Sequence, residues 1–253
     1  MSTAAEYYSR ALHKHFSLLG TWMPNARISL GDVGVWDRGI FQRLTSLGKL
    51  GVNMGIRKGL APATFSFTSE MTAAIRNSLS GSIAPGQPLG QVQVDLTFAS
   101  RGGFMFQAID CYQDEIDDKA GLAKTILGYV RTGEWHKEWA VVDSVIRAGS
   151  ATIVISNSSQ ASLGLHVDGP VEFSSLAKLN SGFKVSSESG NIARFISQAD
   201  LVPLFTLGRI KTSIIQRVLG VHGETIRFGG AGDAFLTHAD DDFFEAVRPD
   251  ESS

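Results

Sequence analysis

The side chains that could ligate a metal are few and scattered along this chain. None of the six histidines belongs to a His-Glu-x-x-His or Cys/His cluster, which would supply several zinc ligands from one element. We therefore do not predict a metal site. His238 with the aspartates at 240–242 could bind a metal, but we interpret this stretch as a hydrated terminal charge run. The histidines are His13, His15, His136, His166, His222 and His238.

Two residues are candidate nucleophiles. Ser189 lies in a turn-forming stretch without the Gly-x-Ser-x-Gly pattern of a nucleophile elbow, and Cys111 ends an apolar run, where a lone cysteine is usually buried and inert. The glycine-rich stretch 229–233 lacks the Lys-Ser/Thr of a phosphate loop. We expect a protein that is not an enzyme and has no cofactor; an enzyme using either nucleophile is a third class of function.

Composition narrows the class of protein. With 253 residues, 43% of them apolar, the chain is long enough to form a proper core, and a net charge of −2 argues against a protein that coats nucleic acid. A single cysteine excludes an intrachain disulfide and fits a reducing compartment. Neither a signal peptide nor a run of about 18 apolar residues is present. We expect a soluble, cytoplasmic protein.

The charges are distributed unevenly. Residues 7–58 carry eight basic and two acidic side chains, whereas residues 233–253 carry seven acidic side chains and one basic. The tail is either an ordinary solvated terminus or a segment that covers a basic surface. Basic residues near both ends of the chain are candidate contacts for anionic lipid headgroups. They are Arg10, Lys14, Arg43, Lys49, Arg57, Lys58, Arg209, Lys211 and Arg217.

Two segments alternate between apolar and polar residues, as half-buried strands do. They span 64–75 and 91–98, and a Gly/Pro/Ser-rich link lets them form a hairpin. Such a hairpin either packs one face on a core or places that face in lipid. The apolar face of this candidate membrane hairpin comprises Phe65, Phe67, Met71, Val92, Val94, Leu96 and Phe98.

The remaining patterns predict a mainly antiparallel sheet with a few helices, which is the α+β class. Helices are expected at 4–19 and 118–132, a helix or turn near 171–179, a meander of strands at 139–147, 151–157 and 161–167, strands at 182–188 and 192–197, and a helix or strand pair at 210–219.

Three stretches resemble the pore-forming domain of bacterial and fungal gasdermins. They are Pro24-Asn25-Ala26-Arg27-Ile28 through Phe41-Gln42-Arg43-Leu44-Thr45-Ser46-Leu47-Gly48-Lys49-Leu50, the strand Ala-Thr-Phe-Ser-Phe-Thr-Ser at 63–69, and 185–210 with its Leu201-Val202-Pro203-Leu204-Phe205 run. The resemblance implies a twisted antiparallel sheet with surrounding helices, held in an inactive form. It also implies that residues 1–228 are the pore-forming domain and that the acidic tail 229–253 is autoinhibitory.

By the same resemblance, activation converts strands into amphipathic hairpins that oligomerise into a membrane pore and kill the cell in defence. Segments 64–75 and 91–109 would form one hairpin, and 139–167 would contribute to another. The implied partners are anionic membrane lipids, further copies of the chain, and a protease or partner protein that activates it, with no nucleic acid. The alternative is a soluble binding or assembly module whose exposed strands pair with another protein.

Overall fold

The computed structural model describes residues 3–80, 91–167, 183–219 and 243–250, and its fold is α+β, as predicted. Antiparallel pairing joins the strands throughout the described residues. The elements are α1 (Ala4–Phe16), β1 (Leu19–Gly20), β2 (Asp32–Asp37), β3 (Ile40–Ser46), a 3-10 turn (Gly48–Leu50), β4 (Ile56–Lys58), β5 (Ala63–Thr68), β6 (Thr72–Ser80), β7 (Gln91–Phe98), β8 (Phe104–Ile116), α2 (Lys119–Thr132), β9 (Ala140–Ser156), β10 (Ala161–Val167), β11 (Phe183–Ser189), β12 (Ile192–Gln198), β13 (Leu201–Ile210), α3 (Thr212–Val218) and β14 (Phe244–Ala246).

The strands form a large twisted sheet and a smaller one. The 17-residue strand β9 is the centre of the large sheet, with β2 and β8 paired along one side and β13 and β12 along the other. Strands β4 and β5 extend it beyond β8. The smaller sheet has the order β11-β10-β7-β6. Its apolar side packs against Met105 and Val154 of the large sheet.

Helix α1 covers the opposite side of the large sheet. It begins with a capping box, in which Thr3 Oγ1 accepts from Glu6 N at 3.2 Å and Glu6 Oε2 accepts from Thr3 N at 2.6 Å. Tyr8 is fully buried, with its ring centroid 4.8 Å from that of Phe104. The helix ends before the predicted residue 19, because Ser17 adopts a left-handed conformation with φ 61°.

Helices α2 and α3 pack together over another part of the sheet. The prediction of a helix at 118–132 is confirmed: Asp118 caps α2 by accepting from Gly121 N at 2.7 Å, and Leu122 and Ile126 are buried. The element predicted at 210–219 is a helix over Thr212–Val218. Among the described helices, none combines the length and the apolar character that crossing a membrane requires.

The alternating segment 64–75 is not one strand, contrary to prediction. It divides into β5 and β6, separated by a turn at residues 69–71, in which Thr72 N donates to Ser69 O at 2.9 Å. β5 pairs with β8 in the large sheet, whereas β6 pairs with β7 in the small one. The prediction was wrong because apolar and polar residues keep alternating on both sides of the turn, so the alternation alone does not indicate a bend.

The second arm of the predicted hairpin, 91–109, is bent at the matching place. β7 ends at Phe98 and β8 begins at Phe104. Gly102 between them has φ +89°, and a Cβ on Gly103 would lie 2.9 Å from the Met71 carbonyl oxygen. Glycine is therefore required at both positions, by backbone conformation at one and by close approach at the other.

The meander predicted at 139–167 is wrong in its connections, although its third strand, 161–167, is confirmed as β10. The strands predicted at 139–147 and 151–157 are parts of one strand, β9 (Ala140–Ser156), while β10 pairs with β7 and β11 instead of with β9. At residues 148–150, where a break between strands was expected, the alternation instead shifts by one residue. The even-numbered Ile146 and Ala148 face the same core cluster as the odd-numbered Ala151 and Ile153. Strands β11 and β12 confirm those predicted at 182–188 and 192–197. The predicted helix or turn near 171–179 lies outside the described residues, as do 229–242 and 251–253 of the tail.

Candidate functional site

The outward face of α1 is basic. His13 and Lys14 lie three and four residues after Arg10, so all three side chains lie on one side of the helix. Arg10 and Lys14 are exposed and His13 is half-buried, while Tyr8 and Leu12 on the inward side are fully buried. Burial of the apolar side thus holds the cations at the surface of the protein.

A cavity of about 380 Å³ lies between α1 and the turn that follows β5. Its walls combine the aromatic rings of Tyr7 and Phe67 with the cations Arg10 and Lys14, and Glu70 supplies one carboxylate. The His15 ring also lines it, with its centroid 4.9 Å from that of Phe67.

A second, larger and more open cavity of about 850 Å³ is also lined by Arg10 and Lys14 and lies between α1 and the C-terminal residues 246–250. Its charged lining consists of Arg10, Lys14 and Arg248 with the single carboxylate of Asp250, and His13 also faces it. Burial lowers the pKa of His13 below its ordinary value; Arg248 lowers it further and Asp250 partly offsets the effect. The pKa of His13 therefore responds to charges on the C-terminal wall.

Residues 243–250 are held on the large sheet by main-chain and side-chain contacts. β14 pairs with residues 208–210 of β13, and Val247 N donates to Leu207 O at 3.0 Å. Phe243 and Val247 are buried, at 7% and 3% exposure, in two different core clusters. Glu245 Oε1 lies 3.1 Å from Arg209 Nε. The segment is an added edge strand whose end lies beside α1.

The nine predicted lipid-contacting cations have different environments. Arg10 and Lys14 lie together and line both cavities, whereas none of the six others whose side chains are described lines either one. Three of those six are paired with carboxylates: Arg43 with Asp32 at 2.6 Å, Arg57 with Glu115 at 3.2 Å and Asp117 at 2.9 Å, and Arg209 with Glu245. Lys49 and Lys58 are exposed and Lys211 is half-buried; the side chain of Arg217 lies outside the described part.

The apolar face of the predicted membrane hairpin is covered in this structure. Val94, Leu96 and Phe98 are buried between the two sheets. Phe65 and Phe67 are half-buried against α1, and the Phe65 ring centroid lies 5.2 Å from that of Phe16. Met71 is half-buried in the turn, and the side chain of Val92 lies outside the described part. Exposure of this face requires the sheets and α1 to separate.

The candidate nucleophiles have contrasting environments. Cys111 is buried in the core cluster beneath α1, and burial, with a contribution from Asp110, raises the pKa of its thiol to about 12. The thiol is therefore protonated near neutral pH, which is its unreactive form. Ser189 is exposed at the end of β11 and pairs with Ser162 in the sheet register.

Three charged groups of the larger cavity were missed by the sequence analysis: His13, Arg248 and Asp250. A signal for His13 was available, because its spacing from Arg10 and Lys14 places it on their helical face. Arg248 is the only basic residue in the acidic stretch 233–253. Its place opposite α1 depends on long-range pairing of β14, which no local pattern indicates.

A scan against protein-family models and a search of curated proteins found no match for this chain.

Proposed function

We propose that this protein forms membrane pores in the manner of gasdermins. In the resting form, two bent hairpins keep their apolar faces covered and the C-terminal segment lies against α1. Activation releases the segment, brings the basic face of α1 to an anionic membrane, and straightens the hairpins into an oligomeric assembly. The observation that carries this proposal is the continuity of strand pairing across the bend.

The register between the segments 91–116 and 140–167 is the same on both sides of the bend. Phe98 of β7 pairs with Ala161 of β10, and Phe104 of β8 pairs with Ile155 of β9. The two pairs are six positions apart on each of the two segments, so no residue is gained or lost between the sheets. Straightening the bend would extend one ladder and leave its register unchanged.

The outer segments bend along the same line. β5 and β6 pair with β8 and β7, and β12 and β11 pair with β9 and β10. The small sheet is thus the continuation of four neighbouring segments of the large sheet. The four segments are 63–80, 91–116, 140–167 and 183–198.

The apolar residues on either side of the bend have the same parity in the sequence. Val94, Leu96 and Phe98 belong to the cluster between the sheets, whereas Phe104 and Phe106 belong to the cluster beneath α1. All five have even numbers, so in a straight strand they would lie on one face. The bend divides one apolar face between two cores.

The third long segment shows the same arrangement. Ile153 and Ile155 pack beneath α1, while Ala161, Leu163 and Leu165 pack between the sheets, and all five have odd numbers. A membrane-crossing strand needs about 9–11 residues. Both central segments exceed that length, so each would provide one crossing strand with an apolar and a polar face.

The basic face of α1 supplies the contact with the membrane. Each basic residue near an anionic surface contributes about 1 kcal/mol to attraction, and Arg10 and Lys14 are exposed side by side. Asp250 lies at the same cavity, and Glu245 pairs with Arg209. We assign the tail an autoinhibitory role, relieved by a protease or by a partner protein. The protein would be stored in the cytoplasm and would kill the cell as a defence response, without a cofactor.

Leakage of a dye from vesicles tests the proposal. Full-length protein and protein cut at an engineered protease site near residue 229 are added to vesicles with and without anionic lipid. We expect leakage only from anionic vesicles and chiefly after the cut. Absence of leakage from both proteins across a range of anionic compositions would contradict pore formation.

A matched pair of variants on β5 links leakage to the strand faces. Phe65→Asp places a charge on the apolar face and should abolish leakage, whereas Ser66→Asp changes the exposed opposite face and should preserve it. Thermal unfolding identifies any variant that fails to fold, and Phe65→Ser replaces Phe65→Asp in that case. Equal leakage by the two β5 variants would contradict insertion of this strand.

A second candidate function is strand pairing with another protein. β11 is an edge of the small sheet as described, and all its residues from 185 to 189 are exposed. An exposed edge offers unpaired main-chain groups to a partner strand. This function predicts a stable protein complex and no association with sedimented vesicles.

A further inference from the structure

The larger cavity joins two parts of the chain that are far apart in sequence. Its lining residues are Arg10, His13, Lys14 and Ser17 from α1 and the residue after it, and Ala246, Arg248, Pro249 and Asp250 from the C-terminal segment. Both walls therefore contribute cationic groups. At about 850 Å³, the cavity has room for a small anion with its hydration water.

The charges lining this cavity do not balance. Arg10, Lys14 and Arg248 oppose the single carboxylate of Asp250, and protonated His13 would add a fourth cation. Arg248 belongs to the C-terminal segment and Arg10 and Lys14 belong to α1, so both segments present cations to the same cavity. An anion placed in the cavity would be attracted to both segments.

We propose that this cavity binds a phosphate group that bridges α1 to the C-terminal segment. Arg10 and Arg248 can each present two N–H donors to phosphate oxygens, and Lys14 adds a compact positive charge. The phosphate belongs either to a small soluble molecule or to a lipid headgroup. The inference deepens the proposed function, and it rests on that function only where the phosphate belongs to a lipid.

Because Asp250 and Arg248 have opposite charges, substitutions at the site can either strengthen or weaken anion binding. Its carboxylate repels a bound anion, whereas Arg248, two residues earlier on the same wall, attracts it. Both residues are exposed, so substitution of either side chain leaves the core unchanged. Binding should weaken in Arg248→Gln and strengthen in Asp250→Asn.

Titration of full-length protein with inorganic pyrophosphate measures the soluble arm. Calorimetry is carried out at constant ionic strength, with thermal unfolding of each variant as a check of folding. We expect Arg248→Gln to weaken binding about tenfold and Asp250→Asn to strengthen it severalfold, as charge-assisted contacts predict. Lys124→Gln, an exposed α2 residue away from the cavity, is the control and should bind like the unchanged protein.

Vesicles that contain phosphatidic acid provide the lipid arm, with phosphatidylcholine vesicles as the reference. If Asp250→Asn sediments with these vesicles more strongly and Arg248→Gln more weakly than the unchanged protein, and none of the proteins binds pyrophosphate, the site is assigned to a lipid phosphate. If the variants show this order of affinity for pyrophosphate, the site is assigned to a soluble phosphate. If neither arm distinguishes Arg248→Gln and Asp250→Asn from Lys124→Gln, the proposal is overturned. Pyrophosphate binding is measured without any leakage assay. A protein that binds pyrophosphate but causes no leakage would therefore contradict pore formation and not the phosphate site.

Discussion

Ser69 and Phe104 hold the bend between the two sheets through hydrogen bonds in both directions. Phe104 N donates to Ser69 Oγ at 2.9 Å, and Ser69 N donates to Phe104 O at 2.9 Å. Thr72 Oγ1 donates to the same Phe104 carbonyl at 3.2 Å. Ser69 is buried, so its hydroxyl helps fix the angle between β5 and β6 within the core.

Replacement of Ser69 by alanine should therefore loosen the bend. The Phe104 N–H would lose its side-chain acceptor in a buried place, and we expect the free energy of unfolding to fall by about 1–2 kcal/mol. Urea denaturation measures this loss. Ser66→Ala, at an exposed position of the same strand, is the control and should unfold like the unchanged protein.

The same Ser69→Ala variant has an expected effect on leakage. If straightening of the bend precedes pore formation, a loosened bend should make leakage from anionic vesicles faster than with the Ser66→Ala control. Slower or unchanged leakage in a folded Ser69→Ala protein would contradict a role for the bend in activation.

Removal of the two exposed cations of α1 should weaken membrane binding. Arg10→Gln with Lys14→Gln removes about 2 kcal/mol of attraction to anionic vesicles, which is roughly a thirtyfold loss of affinity. Sedimentation with vesicles measures it. The matched variant, Lys49→Gln with Lys58→Gln, changes the charge equally at exposed positions outside both cavities and should lose less. A larger loss in this second variant would move the lipid contact away from α1.

Two tyrosines differ in whether their hydroxyl groups are hydrogen-bonded, and the comparison tests the packing of Tyr8 in the core beneath α1. The Tyr8 hydroxyl is buried and finds no partner in the part of the chain that is described, whereas the Tyr129 hydroxyl donates to Leu50 O at 2.6 Å. Tyr8→Phe should leave the free energy of unfolding unchanged or raise it by up to about 1 kcal/mol, while Tyr129→Phe should lower it by about 1 kcal/mol. Equal losses in the two variants would indicate that Tyr8 has a partner.

Cys111 should make the stability of the protein depend on alkaline pH. Burial raises the pKa of its thiol to about 12, above the value of 9.0 for an unperturbed thiol. Because the unfolded chain loses this proton first, the contribution to stability is full below about pH 9 and is lost as the pH rises towards 12. Denaturation of the unchanged protein and of Cys111→Ala between pH 8 and pH 10 measures the difference. We also expect the Cys111 thiol to react slowly with a disulfide reagent in the native protein and fast in urea, because it is buried.

The alternation of apolar and polar residues was sufficient to predict several strands, among them β7, β10, β11 and β12, and the order of the elements predicted the antiparallel α+β class. It predicted that Phe65 and Phe67 share a face and that Val94, Leu96 and Phe98 share another. It did not predict the bend after β5, because a strand that bends as a unit with its neighbours keeps its alternation. The turn at 69–71 depends on Phe104, which lies 35 residues away from Ser69.

The amino-acid sequence by itself determined which residues can share a face, where charge of each sign accumulates, and that Cys111 is a lone thiol. The tertiary structure decided which cations stay paired with carboxylates and which line a cavity. Arg43 and Arg57 have carboxylate partners, whereas Arg10 and Lys14 meet the C-terminal segment. The physical reason is that electrostatic interactions and burial depend on distance in space, and β14 reaches α1 only because its edge pairing with β13 brings the two ends of the chain together.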